Sequence, residues 1–498
     1  MWWCVAAAGL VALFVVARCR LIASSYDSLA NWEEPVFLYS GVDLGEKEAS
    51  HLFDYQDDLS HGGSLPLVLM AVPWVRTVGW RLDTLKGIAV VWSAATLTAL
   101  LFVGARFVSP CLGLLLGLLY AASPVDAALQ VTLVGSHPEA VLFMTLALAA
   151  YLRALERDKP GTNALLGVCC GMAAWCSYLA APWSAALGVA YVARRPRAAI
   201  AAACGAVAGM APWILQNLVL RPHGAMQWIT RTGASQAGGE ASPSAVVRLA
   251  QSLTGDAVTG TAALALLLAF AAWAVLMAWR RRRHGLEATA SGAAVLPAAL
   301  ALLVSVAMLE LARMPQVPRE GFYYFRFFAP SHLALFWLAC AGVDDLATRY
   351  GGRVWGIATA VTFAFAVVAQ LPLYRGANTY VPDAARDLAA GCVVFGHAEV
   401  DRAASDREAV ARLGAIAGEG CRRSAFTGFG WRVVSRYAAD GDVARLGAAL
   451  DCVTELELHV AACRAARGLM ANLYLQAMTR DRRETGALFL DSACASSA

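Results

Sequence analysis

Runs without a charged residue recur along this chain, at 2–17, 87–105, 110–125, 140–152, 160–193, 198–220, 257–279, 288–309, 327–343 and 354–374. An α-helix needs about 20 mostly apolar residues to cross the hydrocarbon of a bilayer. The run 160–193 is too long for one crossing and holds Pro182 shortly after Tyr178. Proline disfavours helix at the residue before it, so this run predicts two short helices that meet near Leu179 to Pro182. The whole pattern predicts an all-α polytopic membrane protein with about eleven transmembrane helices. The run 110–125 is short, and its Gly113 and Gly117 are spaced to let a neighbouring helix approach closely.

Composition agrees with that reading. Hydrophobic residues make up 59% of the 498 and charged residues 15%, against roughly 25% charged in soluble proteins. Arginine carries nearly all the positive charge, because the lysines are Lys47, Lys86 and Lys159 alone. With abundant alanine and glycine, this suggests a high-GC bacterial source. The start, Met1-Trp2-Trp3, stays apolar to Ala17 without a basic n-region or a clear small-x-small cleavage site. It reads as a retained first span rather than a signal peptide.

Positive charge sets the orientation. With the N-terminus in the cytoplasm, the inner loops hold Arg106; Arg153, Arg157 and Lys159; Arg194, Arg195 and Arg197; Arg280 to Arg283; and Arg349 with Arg353. The outer loops near 124–139 and 179–182 have no basic residue, which obeys the positive-inside rule. Arg18 and Arg20, at the outer end of the first span, are the violation. The chain then divides into a membrane module, 1–375, with a first outer loop at 23–85, and an extracytoplasmic tail, 376–498. Further outer segments fall at 221–256 and 310–326.

The tail mixes arginine with acidic residues like a soluble domain. Ser405 before Asp406-Arg407-Glu408 predicts a helix start, and 454–478 has helical periodicity, so the tail reads as a small, mostly helical domain. It holds Cys392, Cys421, Cys452, Cys463 and Cys494. In an oxidising compartment these suit two bridges, Cys392–Cys421 and Cys452–Cys463, with one thiol over; free thiols are the alternative.

Several side chains bear on chemistry. Glu33-Glu34 lies between Trp32 and Pro35 in the first outer loop. A carboxylate beside Trp and lipid holds its proton more tightly than in water, which suits a general base; a solvated acidic pair is the plainer reading. His51, Asp54, Asp57, Asp58 and His61 are metal-capable types, but their spacing matches no specific motif and equally suits a polar loop. The piece from Leu65 to Val75, with Pro66 and Pro73, is too short to span and reads as an interfacial or re-entrant helix facing a cavity. His137-Pro138-Glu139 opens a span on the outer side. Glu139 there either complements the helix dipole or adds a second acid to the same cavity. Arg313, Arg319, Tyr323, Tyr324 and Arg326 read either as an interfacial belt or as a phosphate site, since arginine presents a fork of donors to phosphate oxygens. The chain has no phosphate-binding glycine loop, no dinucleotide fingerprint, no C-x-x-C metal signature and no nucleic-acid signal.

The order of these features resembles the polytopic lipid-linked glycosyltransferases of the C-type fold, in the protein-mannosyltransferase and aminoarabinose-transferase-like group. The matching residues run in order: a first span ending in arginine, the acidic pair, then Gly63-x-Leu65-Pro66-Leu67 with an apolar piece up to Gly79 and Arg81. Ala122-Ser123-Pro124, Glu139, the Gly-rich 167–175, Ala211-Pro212-Trp213 with Asn217, and Tyr324-Phe325-Arg326-Phe327-Phe328-Ala329-Pro330 follow. The resemblance spans about residues 1–375. It implies transfer of a sugar from a polyprenyl-phosphate carrier to a glycan or protein of the cell envelope, at the outer face of the cytoplasmic membrane. By the same resemblance Glu33 or Glu34 is the base and Glu139 the second acid. Arg319 or Arg326 holds the phosphate. Apart from the resemblance, Tyr324, His61 and His137 are further candidates for binding substrate. Positive charge or a divalent metal steadies the leaving phosphate. The chain departs from the family in having Glu-Glu for its usual Asp-Glu and Glu139 for its usual Asp. The alternative is a non-catalytic scaffold that keeps the fold and binds a partner through its outer domain. A transporter would show internal repeats and mid-span ionisable residues, which the sequence does not offer.

The orientation is testable. A periplasmic reporter joined after Arg375 is expected to be active, and activity confined to a cytoplasmic reporter contradicts the placement.

Overall fold

The computed structural model describes residues 2–25, 82–132, 137–215, 244–284, 290–311, 321–374, 384–416, 419–437 and 443–455, with isolated positions at 70, 73–74 and 77 and between 458 and 466. Every regular element among them is helical. They form two compact units, divided between Pro382 and Asp383. The expected helix from Leu65 to Val75, the run from His51 to His61 and most of 454–478 lie outside the described residues.

In the first unit the helices are α1 (Trp2–Ser25), α2 (Leu82–Phe107), α3 (Pro110–Ala122), α4 (Pro124–Leu129), α5 (His137–Glu156), α6 (Pro160–Cys176), α7 (Ala181–Arg194), α8 (Ala199–Gly209), α9 (Ala245–Thr254), α10 (Ala257–Arg283), α11 (Val295–Leu311), α12 (Ala329–Tyr350) and α13 (Arg353–Tyr374). Six of them, α1, α2, α5, α10, α12 and α13, are long and apolar enough to cross a membrane. The chain is a multi-pass membrane protein. The remaining apolar helices sit where the charge-free runs predict them but are shorter than a full crossing. Proline is the local reason: α3, α6 and α7 each carry it in their first turn, where its missing N–H costs nothing. The long run near 160–193 breaks at a single 3₁₀ turn, Tyr178–Ala180, as its Pro182 predicts.

α12 is the axis of the unit. Pro330 to Val343 are all buried, and 83% of its apolar window is enclosed against 17% for α1 and 6% for α13. The two outlying helices therefore turn their side chains to lipid. At its far end α12 is held by Asp345, which accepts from Trp273 Nε1 at 2.9 Å and pairs with Arg281 at 3.3 Å and Arg349 at 2.8 Å. Elsewhere small residues set the spacing. α6 packs against α8 so closely that a Cβ on Gly205 would stand 2.1 Å from the Ala164 carbonyl oxygen. Gly113 meets the Leu101 carbonyl of α2 in the same way, the close approach its spacing implies.

The second unit contains α14 (Ala384–Arg402), α15 (Asp406–Gly414), α16 (Glu419–Tyr437) and α17 (Val443–Asp451) around Phe426, Phe429, Val433 and Leu450. α15 starts where Ser405 predicts: its Oγ accepts the Glu408 N–H at 3.3 Å, and Glu408 Oε2 accepts the Ala404 N–H at 2.9 Å. That reciprocal pair is a capping box shifted by one residue. The Ala404 N–H and the Arg412 guanidinium hold the Glu408 carboxyl below its ordinary range. Cys392 and Cys421 are bridged, tying α14 to α16. The second expected bridge is absent: Cys452 and Cys463 are not bonded to each other. Cys463 is buried beside His459 Nε2 at 3.5 Å, whereas the Cys452 thiol, just past α17, donates to the Ala448 carbonyl. Cys494 lies outside the described residues.

The α6–α8 crossing predicts a packing defect. Gly205→Val should lower the thermal midpoint of the detergent-purified protein, at a cost of about 1–3 kcal/mol. Gly188→Ala, where nothing lies within 4 Å, should not. Equal midpoints would contradict the crossing.

Candidate functional site

Near the start of α12 the regular helices give way to two irregular pieces. One is 123–132, with α4 inside it; the other is a 3₁₀ segment, Gly321–Phe328, that leads into α12. Both fall in segments expected on the outer side, and within them Pro124 to Ala128, Gln130 to Thr132 and Arg326 are buried. Between them is a cavity of about 50 Å³ lined by Ser93, Tyr120, Asp126, Gln130, Thr132 and Arg326, with Leu129, Pro138, Val141 and Ala329 as its apolar wall. That volume holds about four waters.

Local rules place the polar residues. Ser123 caps α4, its Oγ accepting the Asp126 N–H at 3.0 Å, and so sets Asp126 in the first turn. Gln130 ends the same helix. Its Nε2 donates to the Tyr120 carbonyl at 3.0 Å, and its Oε1 accepts from Arg18 Nε at 2.9 Å. Arg18 is 1% exposed. It donates further to Gln370 Oε1 at 3.1 Å, Tyr374 OH at 3.2 Å and the Ala121 carbonyl at 3.0 Å, and its guanidinium stands 4.7 Å over the Phe14 ring. Arginine stays charged in such surroundings, so a fixed positive charge stands directly behind Gln130.

On the other side, His332 in the first turn of α12 brings Nδ1 to 3.2 Å from both Asp126 oxygens. Its Nε2 lies 2.7 Å from Ser252 Oγ on α9. All three side chains are buried. Arg326 is buried too, its guanidinium 4.9 Å from the Phe327 ring centre. Glu139 is fully buried in the first turn of α5, and neither carboxylate oxygen has a hydrogen-bond partner among the described residues. Its neighbours Pro138 and Val141 are in the cavity wall.

Of the residues singled out from sequence, Arg326 lines this cavity; Pro138 of α5 does too, but Glu139 next to it is not among the lining residues. His137 opens α5 and Tyr324 sits in the 3₁₀ segment; their side chains are not described. Glu33, Glu34, His61 and Arg319 lie outside the described residues. The sequence reading missed Asp126, Gln130, Ser252 and His332. Two signals were present: Arg18 broke the positive-inside pattern, and Ser123-Pro124 is a capping pair that places Asp126. His332 was hidden because a neutral histidine does not interrupt a charge-free run.

No family model matches the chain, and no curated protein matches it. Among solved structures it is similar to ArnT from Cupriavidus metallidurans in the apo state, with TM-score 0.48 and 13% identity over 96% of this chain and 82% of that one. It is similar also to the same protein bound to undecaprenyl phosphate, with TM-score 0.48 and 14% identity over 96% and 81%. ArnT is an aminoarabinose transferase of the C-type glycosyltransferase fold, the group that the order of motifs resembles.

The Arg18 network makes its own prediction. Arg18→Met leaves the Gln130 and Gln370 oxygens unanswered, at about 1–3 kcal/mol, and should lower the thermal midpoint. Arg20→Met, at an exposed position, should leave it within about 0.5 kcal/mol of the parent. Matching midpoints would mean that Arg18 does not organise this end of the bundle.

Proposed function

We propose that this chain is a glycosyltransferase of the cytoplasmic membrane that moves a sugar from a polyprenyl-phosphate carrier to an acceptor at the outer face. The observation that carries this reading is Arg326, a guanidinium buried in an apolar bundle and lining a polar cavity together with Asp126. A lipid phosphate must keep its negative charge at the boundary of the hydrocarbon. A planar fork of donors held there answers that charge better than water-exposed lysines would. The Arg18 guanidinium, held by Gln130 and Gln370, adds positive potential behind the same wall.

In this reading Arg326 or Arg319 holds the carrier phosphate, and Tyr324, His61 and His137 contact the substrate. Glu33 or Glu34 takes the proton from the acceptor as its nucleophilic atom bonds to the anomeric carbon. The anomeric carbon's bond to the phosphate oxygen breaks, and polyprenyl phosphate leaves with that electron pair. Glu139 is the second acid, at the start of α5. An envelope glycan or protein is the acceptor. Among the described residues no group of three or more His, Cys, Asp or Glu side chains gathers to hold a cation, and His332 already engages Asp126.

Binding of undecaprenyl phosphate to the protein in nanodiscs tests the reading. Arg326→Ala should weaken binding about tenfold or more, and Arg326→Lys should restore part of it. Undiminished binding by Arg326→Ala contradicts the assignment. Glu33→Gln and Glu34→Gln, made separately, should include at least one variant that inserts normally and transfers no sugar.

A further inference from the structure

The Asp126–His332–Ser252 chain has no part in the mechanism above, yet it fixes the one acid that lines the cavity among the described residues. Its proton positions follow from counting. Ser252 has one hydroxyl proton and gives it to the Leu249 carbonyl at 2.7 Å. Its oxygen therefore accepts at the 2.7 Å contact with His332, and His332 Nε2 carries a proton. The opposite nitrogen faces both Asp126 oxygens at 3.2 Å, so one further proton stands between ring and carboxyl. The ring is 5.7 Å from that of Phe336, one turn along α12. The carboxyl is thus held from behind and has no freedom to swing.

Other polar groups of the wall are already engaged. Gln130 uses its amide on Tyr120 and its oxygen on Arg18. Ser93 donates to the Gln130 carbonyl, and Thr132 to the Ala128 carbonyl. A carboxyl group has acceptor capacity for several donors, and His332 is the partner its side chain has among the hydrogen bonds described. Asp126 therefore offers open acceptor positions to the cavity. The cavity, at about 50 Å³, has room for one hydroxyl group and a few waters, not for a sugar ring.

We propose that Asp126 is a specificity-determining residue that accepts a hydrogen bond from one hydroxyl group of the carrier-linked sugar. His332 is the positioning residue that holds it. This rests on the transferase reading, with the phosphate on Arg326 in the same wall. A site built to bond a hydroxyl discriminates strongly against an analogue that lacks or misplaces it, because its own acceptor is then left dry.

The test compares undecaprenyl phosphate with its glucosyl, galactosyl, mannosyl and deoxyglucosyl esters, bound to the full-length protein in nanodiscs. The wild type should prefer one ester over its epimers and deoxy forms by about tenfold or more. Asp126→Asn should lower affinity for the preferred ester about tenfold more than for the bare phosphate, flattening the preference. His332→Asn, whose amide can still donate to Asp126, should keep the preference, and His332→Phe should lose it. That contrast carries the test if Asp126→Asn fails to fold. Nitrogen-15 histidine spectra should show His332 protonated at Nε2. An unchanged preference in both Asp126→Asn and His332→Phe overturns the proposal, as does a wild type that binds all the esters alike. Failure of the wild type to bind even the bare phosphate is a different result: it removes the transferase reading and this proposal with it.

Discussion

A guanidinium inside an apolar bundle must have its donors answered, and Arg18 is answered from three directions at once. Gln130 lies beyond α4, the Ala121 carbonyl at the end of α3, and Gln370 with Tyr374 on α13. Gln370 in turn donates to the carbonyls of Ala121 and Ala122, the groups that the end of α3 leaves without a helical partner. The charge therefore does more than survive burial. It ties α1 and α13, the two helices with the least protein around them, to the irregular backbone that follows α3. With α1, α13 and α3 so joined, Gln130 is fixed, and with it one wall of the cavity.

The opposite wall depends on α12 in a complementary way. Its buried length leaves room for two polar ends with different chemistry. At the far end, Asp345 gathers Arg281, Arg349 and Trp273, an acid surrounded by cations. At the near end, His332 reaches Asp126 on one side and Ser252 on the other, a neutral chain with acceptor capacity left over. The first is a closed arrangement in which every charge has its counterpart. The second presents an acid to an open space beside an arginine. That difference, more than the presence of charged groups as such, distinguishes a clamp from a site.

Much of the scaffold was legible because each helix announces itself locally. Charge-free runs placed the helices, Pro182 placed a break, Gly113 marked a close approach and Ser405 marked a helix start. The lengths were less legible, since a run free of charge does not show where a proline-initiated turn cuts it. The site was legible only at the residues that stand out within their own segment: Arg326 in an aromatic motif, Glu139 after a proline, Arg18 against the topology rule. Asp126 and His332 meet across 206 positions, and Arg18 and Gln370 across 352. No periodicity or spacing within one segment encodes such pairings, because what selects them is burial, and burial is a property of the assembled bundle. Cys452 and Cys463 fail as a bridge for the same reason: their separation in sequence suits one, and their surroundings in the fold do not.

The location of the cavity has a physical cause that does not require the function to be known. Backbone that leaves the helical hydrogen-bond pattern among apolar helices is tolerated only against protein or a wet space. Two such stretches lie near the start of α12, the one from Ser123 to Thr132 and the 3₁₀ segment Gly321–Phe328. They lie in different thirds of the chain, yet α4 packs against that 3₁₀ segment, and together they supply Asp126, Gln130, Thr132 and Arg326 to a single cavity. Each stretch alone would be costly, since its unpaired carbonyls and amides would face hydrocarbon. Packed together, they line one small cavity with polar groups. Asp126, Gln130, Thr132 and Arg326 are thus found where the helical pattern fails twice in the same place.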